Sequence, residues 1–373
     1  MDKIIKIRQT PGIHLFWIWF FLYSIFNQLI STLNIKMTLM YIVLLFIMAV
    51  HYLYILLYKK NFKYDTELFF LVFLIPFYLI TNSMSSSVFI VMACMIIKYY
   101  PLDKILKSTL VISFVCLIIH FLLLLVGYVH NTVLYKTTGD ICNSLGFVHP
   151  NVAGNYLFGF ILVLSLTVYK TKNKIEITFV NLVLLFGVYY VMRLTGSRTF
   201  FITFMLYFGF TLLKSKIPRS LLKPVMLISF FLFGILTFIS PYINEIYYID
   251  DLLSGRIRIV SLFYDELTFH SFLMGSRIPD KPLDNAYIML LMNGGVASVL
   301  FFLITFIKGV RKLPNEYTGE YFPFVTAVLL SGCGESTFSA LTAYSLVFYR
   351  ILYENFFLKY NVQTSCSYLS ARQ

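Results

Sequence analysis

Long runs of apolar residues with almost no charge recur along this chain and constrain its fold most strongly. Each run is close to the roughly 20 residues that an α-helix needs to cross the hydrocarbon of a bilayer. The chain of 373 residues is 59% hydrophobic and only 13% charged, and a soluble domain does not tolerate such a composition. The sequence therefore predicts an all-α, polytopic integral membrane protein.

About twelve transmembrane helices are predicted, and together they form a single transmembrane domain over residues 1–373. Two loops that we place outside the cytoplasm are long, at about 129–149 and about 242–282, and the second lies between helices 9 and 10. The polar residues 82–87 suggest that the third and fourth spans form a broken or re-entrant pair. The predicted spans lie near 14–33, 37–58, 66–82, 86–100, 105–128, 150–169, 175–192, 197–213, 222–241, 283–307, 319–333 and 338–358.

Apolar residues recur at helical spacing within the second long loop. This spacing predicts a short amphipathic helix that lies on the membrane or against the bundle. Its apolar residues are Ile257, Val260, Tyr264 and Leu267.

The distribution of lysine indicates the orientation. With the N-terminus in the cytoplasm, the cytoplasmic connections collect nearly all of the twenty lysines, and the outward loops hold only Lys36, Lys136 and Lys281. Cytoplasmic loops of membrane proteins are enriched in Lys and Arg, so this alternation predicts a multi-pass protein with a cytoplasmic N-terminus. We attribute the net charge of +13 to these loops and expect no nucleic-acid partner.

Arginine is distributed differently, because five of the ten arginines fall on the outward side. A guanidinium group is a planar fork that grips pyrophosphate or carboxylate, although such arginines also snorkel to lipid headgroups or stay solvated in loops. Arg193 and Arg198 flank a predicted tight hairpin, after which the next helix would point its N-terminal amides at an anion. The candidates for binding pyrophosphate are Arg198, Arg256, Arg193, Arg258 and Arg277.

Two predicted span starts carry polar residues that can act on a hydroxyl group. His149 and Asn151 belong to the first; a neutral imidazole there can accept a proton, hydrogen-bond a sugar hydroxyl or simply fill an interfacial belt. Asp284 and Asn285 open the tenth span, where either can be the N-cap and Asp284 is also a candidate general base. Glu335, in the last outward turn, is a weaker candidate base.

The spacing of the acids and cysteines does not argue for a metal ion, and the sequence contains no nucleotide-binding or serine-hydrolase motif. We therefore expect neither a metal nor another cofactor. Cys142 and Cys333 both fall on the outward side, so a disulfide between them is an open alternative.

Four motifs in the second part of the chain resemble those of the bacterial O-antigen and capsule polymerase (Wzy) and O-antigen ligase superfamily. They follow the family's order, and each stands in an outward loop or at the start of a span. The resemblance covers roughly residues 140–310, whereas the N-terminal third agrees only in hydropathy. The motifs are SLGFVHPNVAG (144–154), LTGSRTFF (194–201), SGR (254–256), and LMGSR followed by DNAYIMLLMNGGV (273–296).

The resemblance implies a GT-C-like, metal-independent glycosyltransferase of the bacterial cytoplasmic membrane with an extracytoplasmic active site. Arg198 matches the arginine of the family's SR motif, Arg256 matches its loop arginine, and His149 belongs to its HPN pattern. Ligases have His-Asn where this chain has Asp284-Asn285, so Asp284 or another group must replace the ligase-type histidine base. The residues expected to bind or support the substrate are Asn151, Asn285 and Tyr287.

The activity implied by the resemblance is polymerisation of oligosaccharide repeat units carried on undecaprenyl pyrophosphate. A single displacement by a sugar hydroxyl would invert the anomeric carbon. Expected partners are this lipid-linked oligosaccharide, membrane lipid, and chain-length regulator and flippase proteins. Two alternatives stay open: a polymer ligase of the same superfamily, and a transporter for lipid-linked oligosaccharide, which would carry ionisable residues deep within its spans.

Overall fold

The computed structural model describes residues 12–33, 37–59, 66–81, 86–135, 141–171, 173–242, 260–261, 263, 267–276 and 285–358. Within these ranges the regular structure is helical apart from one β-hairpin. The helices are α1 (Ile13–Leu33), α2 (Met37–Lys59), α3 (Thr66–Thr81), α4 (Ser86–Ile97), α5 (Leu102–Leu125), α6 (Pro150–Thr171), α7 (Lys174–Thr195), α8 (Arg198–Leu213), α9 (Arg219–Ile239), α10 (Phe269–Met274), α11 (Ala286–Lys312), α12 (Asn315–Ser331) and α13 (Ala343–Leu352), with a 3-10 turn at Ser240–Tyr242.

The predicted helical spans are confirmed as helices. Each of the twelve predicted ranges overlaps one helix, and the short α10 is an addition within the second long loop. Six described helices are long and apolar enough to cross a membrane: α2, α5, α6, α7, α9 and α11. These six indicate a multi-pass membrane protein, and twelve crossings stay a prediction.

A short β-hairpin, which the sequence did not predict, lies in the first long loop of this otherwise helical structure. Its strands are β1 (Val133–Tyr135) and β2 (Ile141–Asn143), which run antiparallel with Leu134 opposite Cys142. Cys142 and Cys333 are both free thiols. The disulfide that the sequence left open therefore does not form.

The helix α4 is too short to cross a membrane and is enclosed by protein. Its 12 residues extend about 18 Å, against about 30 Å for the hydrocarbon core. Every residue from Ser87 to Ile97 is buried, as expected for a helix that is apolar all round. The 16-residue α3 packs against it. The lengths of the two helices agree with the predicted broken pair, whose connecting residues 82–85 lie outside the described residues.

The helix α11 is interrupted at Gly294 and Gly295, where the backbone leaves the helical conformation. Gly295 has a φ of +56°, in the left-handed region that favours glycine. The end of α10 lies against this interruption. Gly275, the residue that follows α10, has a φ of +81°. The N–H of Ser276 donates to the carbonyl of Met292 over 2.9 Å. The second long loop therefore reaches the interruption and satisfies part of its backbone.

The start of α4 meets the same interruption from the other side. Nδ2 of Asn293 donates to Oγ of Ser86 over 2.8 Å, and the hydroxyls of Ser87 and Ser298 lie 2.6 Å apart. Irregular backbone within an apolar bundle persists only where protein or water supplies its hydrogen bonds. The interruption of α11 and the start of α4 thus share one polar junction inside the bundle.

The interruption of α11 gives a testable prediction, that Gly295→Ala lowers the free energy of unfolding by at least about 2 kcal/mol. Alanine is strained at this φ, and its methyl group would overlap the backbone of Leu273. The measurement is denaturation of the purified protein in detergent. The control is Gly209→Ala in α8, where the space is open and alanine is the better helix former, so stability should hold or rise. Equal stabilities of Gly295→Ala and the wild type would contradict the prediction.

Two buried ion pairs lie at the end of the bundle where α4, α11 and α13 finish. Lys98 pairs with Glu67 over 2.7 Å, and Arg350 pairs with Glu354 over 2.7 Å. The hydroxyl of Tyr353 also donates to Glu67 over 2.7 Å. Buried charges persist only when they are paired and hydrogen-bonded, so this network stabilises the end of the bundle. This end, called the lysine end below, comprises residues 98–104, 214–223, 308–316 and 350–354.

The predicted amphipathic segment of the second long loop packs against the bundle in its described part. Val260 and Phe263 are buried and form a small apolar cluster with Ile288 and Met292 of α11. Leu267 is partly buried against the same cluster. Two other residues of the predicted apolar face, Ile257 and Tyr264, lie outside the described residues.

Candidate functional site

The turn between α7 and α8 presents two of the predicted arginines at the surface. Arg193 lies in the last turn of α7, Arg198 is the first residue of α8, and both are exposed. Gly196 ends α7 with a φ of +69°, and its N–H donates to the carbonyl of Met192 over 2.7 Å. A left-handed glycine of this kind ends a helix and reverses the chain at once. Two guanidinium groups therefore share one tight hairpin.

Ser197 occupies the N-cap position of α8, but its side chain does not cap the helix. Its hydroxyl instead donates to Oε1 of Glu335 over 3.3 Å, and both side chains are 2% exposed. A serine at this position ordinarily accepts a hydrogen bond from an amide of the first turn. The first turn of α8 is therefore left without a side-chain cap.

A buried turn, residues 332–337, connects this carboxylate to the start of α11. The N–H of Ala286 donates to the carbonyl of Gly332 over 2.8 Å, and Nδ2 of Asn285 donates to the carbonyl of Cys333 over 2.8 Å. The turn also contains Glu335. It therefore brings the start of the tenth predicted span beside the α7–α8 hairpin.

Asn285 is the N-cap of α11. Its Oδ1 accepts from the N–H groups of Tyr287 and Ile288 over 3.0 and 3.2 Å. Tyr287 is 5% exposed, and its hydroxyl donates to the carbonyl of Leu329 over 3.1 Å. The side chains of Asn285 and Tyr287 are thus both used to position α11. Because Asn285 supplies the cap, Asp284 is not needed for capping.

His149 stands immediately before α6 and contributes to its cap. Its Nδ1 accepts a hydrogen bond from the N–H of Asn151 over 3.1 Å. A ring nitrogen that accepts carries no proton, so the proton of the neutral ring is on Nε2. Nδ1, the basic nitrogen of this tautomer, is therefore already engaged as an acceptor.

The segment before this histidine is held against α5. His120 Nε2 lies 3.0 Å from the carbonyl oxygen of Leu145, and the imidazole stacks on the ring of Phe147 with centroids 3.9 Å apart. Gly146 has a φ of +84°, and a side chain there would overlap Val129. The left-handed backbone conformation and the lack of space therefore explain why the SLGF motif has glycine at this position.

The helix α6 also approaches the α7–α8 hairpin closely. A methyl group at Gly154 would lie 3.0 Å from the ring of Phe200 and 3.2 Å from Cβ of Ser197. Strand β2 contacts the same hairpin, because Nδ2 of Asn143 lies 3.5 Å from the carbonyl oxygen of Leu194. Four segments that are distant in the sequence therefore meet in one region. This region, called the motif end below, comprises residues 141–151, 193–198, 285–287 and 332–337.

Six of the ten predicted site residues are described, and all six lie at the motif end: His149, Asn151, Arg193, Arg198, Asn285 and Tyr287. Another four lie outside the described residues, namely Arg256, Arg258, Arg277 and Asp284. Glu335, which the sequence offered only as a weaker candidate base, is buried in the same region and accepts a hydrogen bond from Ser197. Its only signal was an acid in a glycine-rich outward turn, which does not indicate burial beside Ser197. Within the described residues, no group of His, Cys, Asp and Glu could hold a metal ion.

Comparison of the chain with protein-family models, curated proteins and solved structures gives no match. Functional inference therefore rests on the motifs and on the geometry of the motif end.

Proposed function

We propose that this protein is a glycosyltransferase that polymerises undecaprenyl-pyrophosphate-linked oligosaccharide repeat units at the outer face of the bacterial cytoplasmic membrane. Its twelve helical spans would then form a GT-C-like transmembrane bundle. The observation that carries the proposal is the meeting of the HPN turn, the α7–α8 hairpin and the start of α11 at one end of the bundle. These segments are three of the motifs on which the family resemblance depends.

The arginines suit the leaving group of this reaction. A hydroxyl oxygen of one repeat unit forms a bond to the anomeric carbon of the other glycan, and the bond from that carbon to pyrophosphate breaks. Negative charge then grows on the departing pyrophosphate. Arg198 and Arg193 can stabilise it through paired N–H donors without a divalent ion. Three loop arginines, Arg256, Arg258 and Arg277, are the remaining proposed contributors.

The attacking hydroxyl must also lose its proton as the new bond forms. Asp284 is the proposed base, since it precedes the cap residue Asn285 at the motif end. His149 is better suited to donate a hydrogen bond to a sugar oxygen, because its Nδ1 is occupied. Glu335 is the alternative base, although Ser197 already donates to it.

Asp284→Asn is expected to slow chain elongation by about 10²–10⁴-fold. Stability should be unchanged, because Asn285 supplies the N-cap of α11. The measurement is the initial rate of elongation. The control is Glu316→Gln, a substitution of an exposed residue at the lysine end. An active Asp284→Asn variant together with an inactive Glu335→Gln variant would identify Glu335, not Asp284, as the general base.

The proposed function is tested by incubating the purified protein with a single lipid-linked repeat unit. A ladder of products that grows by whole repeat units is expected. One transfer to a distinct acceptor would indicate a ligase. No product with either acceptor would contradict a glycosyltransferase.

A transporter for lipid-linked oligosaccharide is the second candidate. Interrupted helices inside a bundle are typical of transporters, and both the interruption of α11 and the short, buried α4 are of this kind. The buried pairs Lys98–Glu67 and Arg350–Glu354 add charged groups at one end of the bundle. Movement of the lipid-linked sugar across reconstituted vesicles, without any new glycosidic bond, would favour this candidate.

A further inference from the structure

Two basic segments that are distant in the sequence lie together at the lysine end. Lys223 Nζ lies 3.4 Å from the carbonyl oxygen of Arg311, and α12 packs against both α8 and α9. The end of α8, the start of α9, the end of α11 and the start of α12 therefore share one surface. We call this surface the basic patch, and its residues are Lys214, Lys216, Arg219, Lys223, Lys308, Arg311 and Lys312.

The positive charge of the basic patch is poorly compensated. These segments carry seven basic residues, and the acids that accompany them at the start of α12 are Glu316 and Glu320. Lys216, Arg219 and Lys312 are exposed, and none of them forms an ion pair with any residue that the structure describes. Like charges held this close repel one another, so an anion bound among them would be stabilised.

Lys214 shows that the cationic surface continues inward. Its ammonium group lies 3.5 Å from the ring centroid of Tyr169 and is buried without a hydrogen-bond acceptor among the described residues. Partial burial lowers the pKa of Lys214 to about 8, because desolvation disfavours the charged form, while nearby Glu320 opposes this shift. A negative group at the patch would favour the charged lysine.

Apolar side chains border the cations directly. Leu212, Leu213 and Leu221 are about half exposed, at 48%, 49% and 50%, and they flank the turn between α8 and α9. Phosphate groups with attached acyl chains need cations and adjoining apolar surface together. An acidic protein or a nucleic acid would use the cations and leave these leucines in water.

We propose that the basic patch binds the phosphate headgroup of an anionic phospholipid, with the acyl chains against Leu212, Leu213 and Leu221. This inference is independent of the proposed glycosyltransferase activity, since it concerns the opposite end of α8 and α11. The bound lipid would neutralise the patch and hold four helix ends together.

The test measures binding of fluorescent phosphatidylglycerol to the full-length protein in neutral detergent, with phosphatidylcholine as the neutral comparison. Lys216→Gln combined with Lys312→Gln is expected to weaken binding of phosphatidylglycerol by at least about tenfold, because each of the two cations contributes roughly fivefold to the affinity. Lys107→Gln removes one positive charge at an exposed position of α5 outside the basic patch and should change binding less than about twofold.

Three results would overturn the proposal. The first is equal binding of phosphatidylglycerol and phosphatidylcholine to the wild type. The second is an equal loss in the patch variant and in the α5 control. The third is full competition by inorganic phosphate or by a soluble acidic peptide at the same concentration, which would remove the need for a lipid.

A salt titration keeps the test decisive if the patch variant fails to fold. Affinity of the wild type for phosphatidylglycerol should fall steeply as sodium chloride rises from about 50 mM to about 500 mM, because exposed charges are screened. Affinity that is independent of salt would overturn the proposal.

Discussion

Lys98→Met is expected to lower the free energy of unfolding by about 3–5 kcal/mol. The substitution removes the ammonium group that lies 2.7 Å from Glu67 and leaves a carboxylate that is only 5% exposed without its counter-charge. Tyr353 still donates a hydrogen bond to this carboxylate, but one hydroxyl does not balance a buried charge. The measurement is thermal or chemical denaturation of the purified protein in detergent.

Two further variants separate the lost charge from lost packing. Adding Glu67→Gln to Lys98→Met makes the site neutral while keeping an acceptor for Tyr353, so most of the lost stability should return. Lys107→Met, at an exposed position of α5, should change stability by less than about 0.5 kcal/mol. A Lys98→Met protein as stable as the wild type would show that the ion pair contributes nothing.

Arg198→Lys is expected to reduce the rate of chain elongation by about 10²–10³-fold. Lysine keeps the positive charge but loses the planar pair of N–H donors that suits a pyrophosphate. Arg198 is exposed at the start of α8, so the exchange should leave stability unchanged. The measurement is the initial rate with a lipid-linked repeat unit, beside a denaturation curve of the same preparation.

The control for this variant is Lys107→Arg, which exchanges the same two side-chain types at an exposed position of α5. It should elongate chains at the wild-type rate. Arg193→Lys should show a smaller loss than Arg198→Lys if the first arginine only supports the second. Normal elongation by Arg198→Lys would rule out paired hydrogen bonding to pyrophosphate at this position.

The helical spans could be predicted from the sequence because their signal is local. Each apolar run favours a helix in a membrane whatever packs against it, and all twelve predicted ranges coincide with helices. The hairpin β1–β2 was missed, since strands of three residues carry almost no periodic signal. The interruption of α11 was also missed, although the pair Gly294-Gly295 was visible in the sequence.

The candidate site could be predicted only in part. Arg193, Arg198 and His149 could be named as candidates from the sequence, because they lie in short motifs at the starts or ends of apolar spans. Glu335 was only a weaker candidate, because its contact with Ser197, which lies far away in the sequence, depends on the tertiary structure. Asn285 and Asp284 were equal candidates for the N-cap until the hydrogen bonds to Tyr287 and Ile288 distinguished them.

By itself, the sequence determined a helical membrane protein whose lysines gather in alternate connections. These properties follow from the transfer of individual residues between water and hydrocarbon, which does not depend on tertiary contacts. Tertiary structure alone decided that Ser197 binds Glu335, that α10 lies against the broken α11, and that two basic turns form one patch. The physical reason is that lipid tails are as apolar as the helix surfaces, so hydrophobicity does not determine which helices pack together. Small residues and polar contacts between distant segments determine it instead.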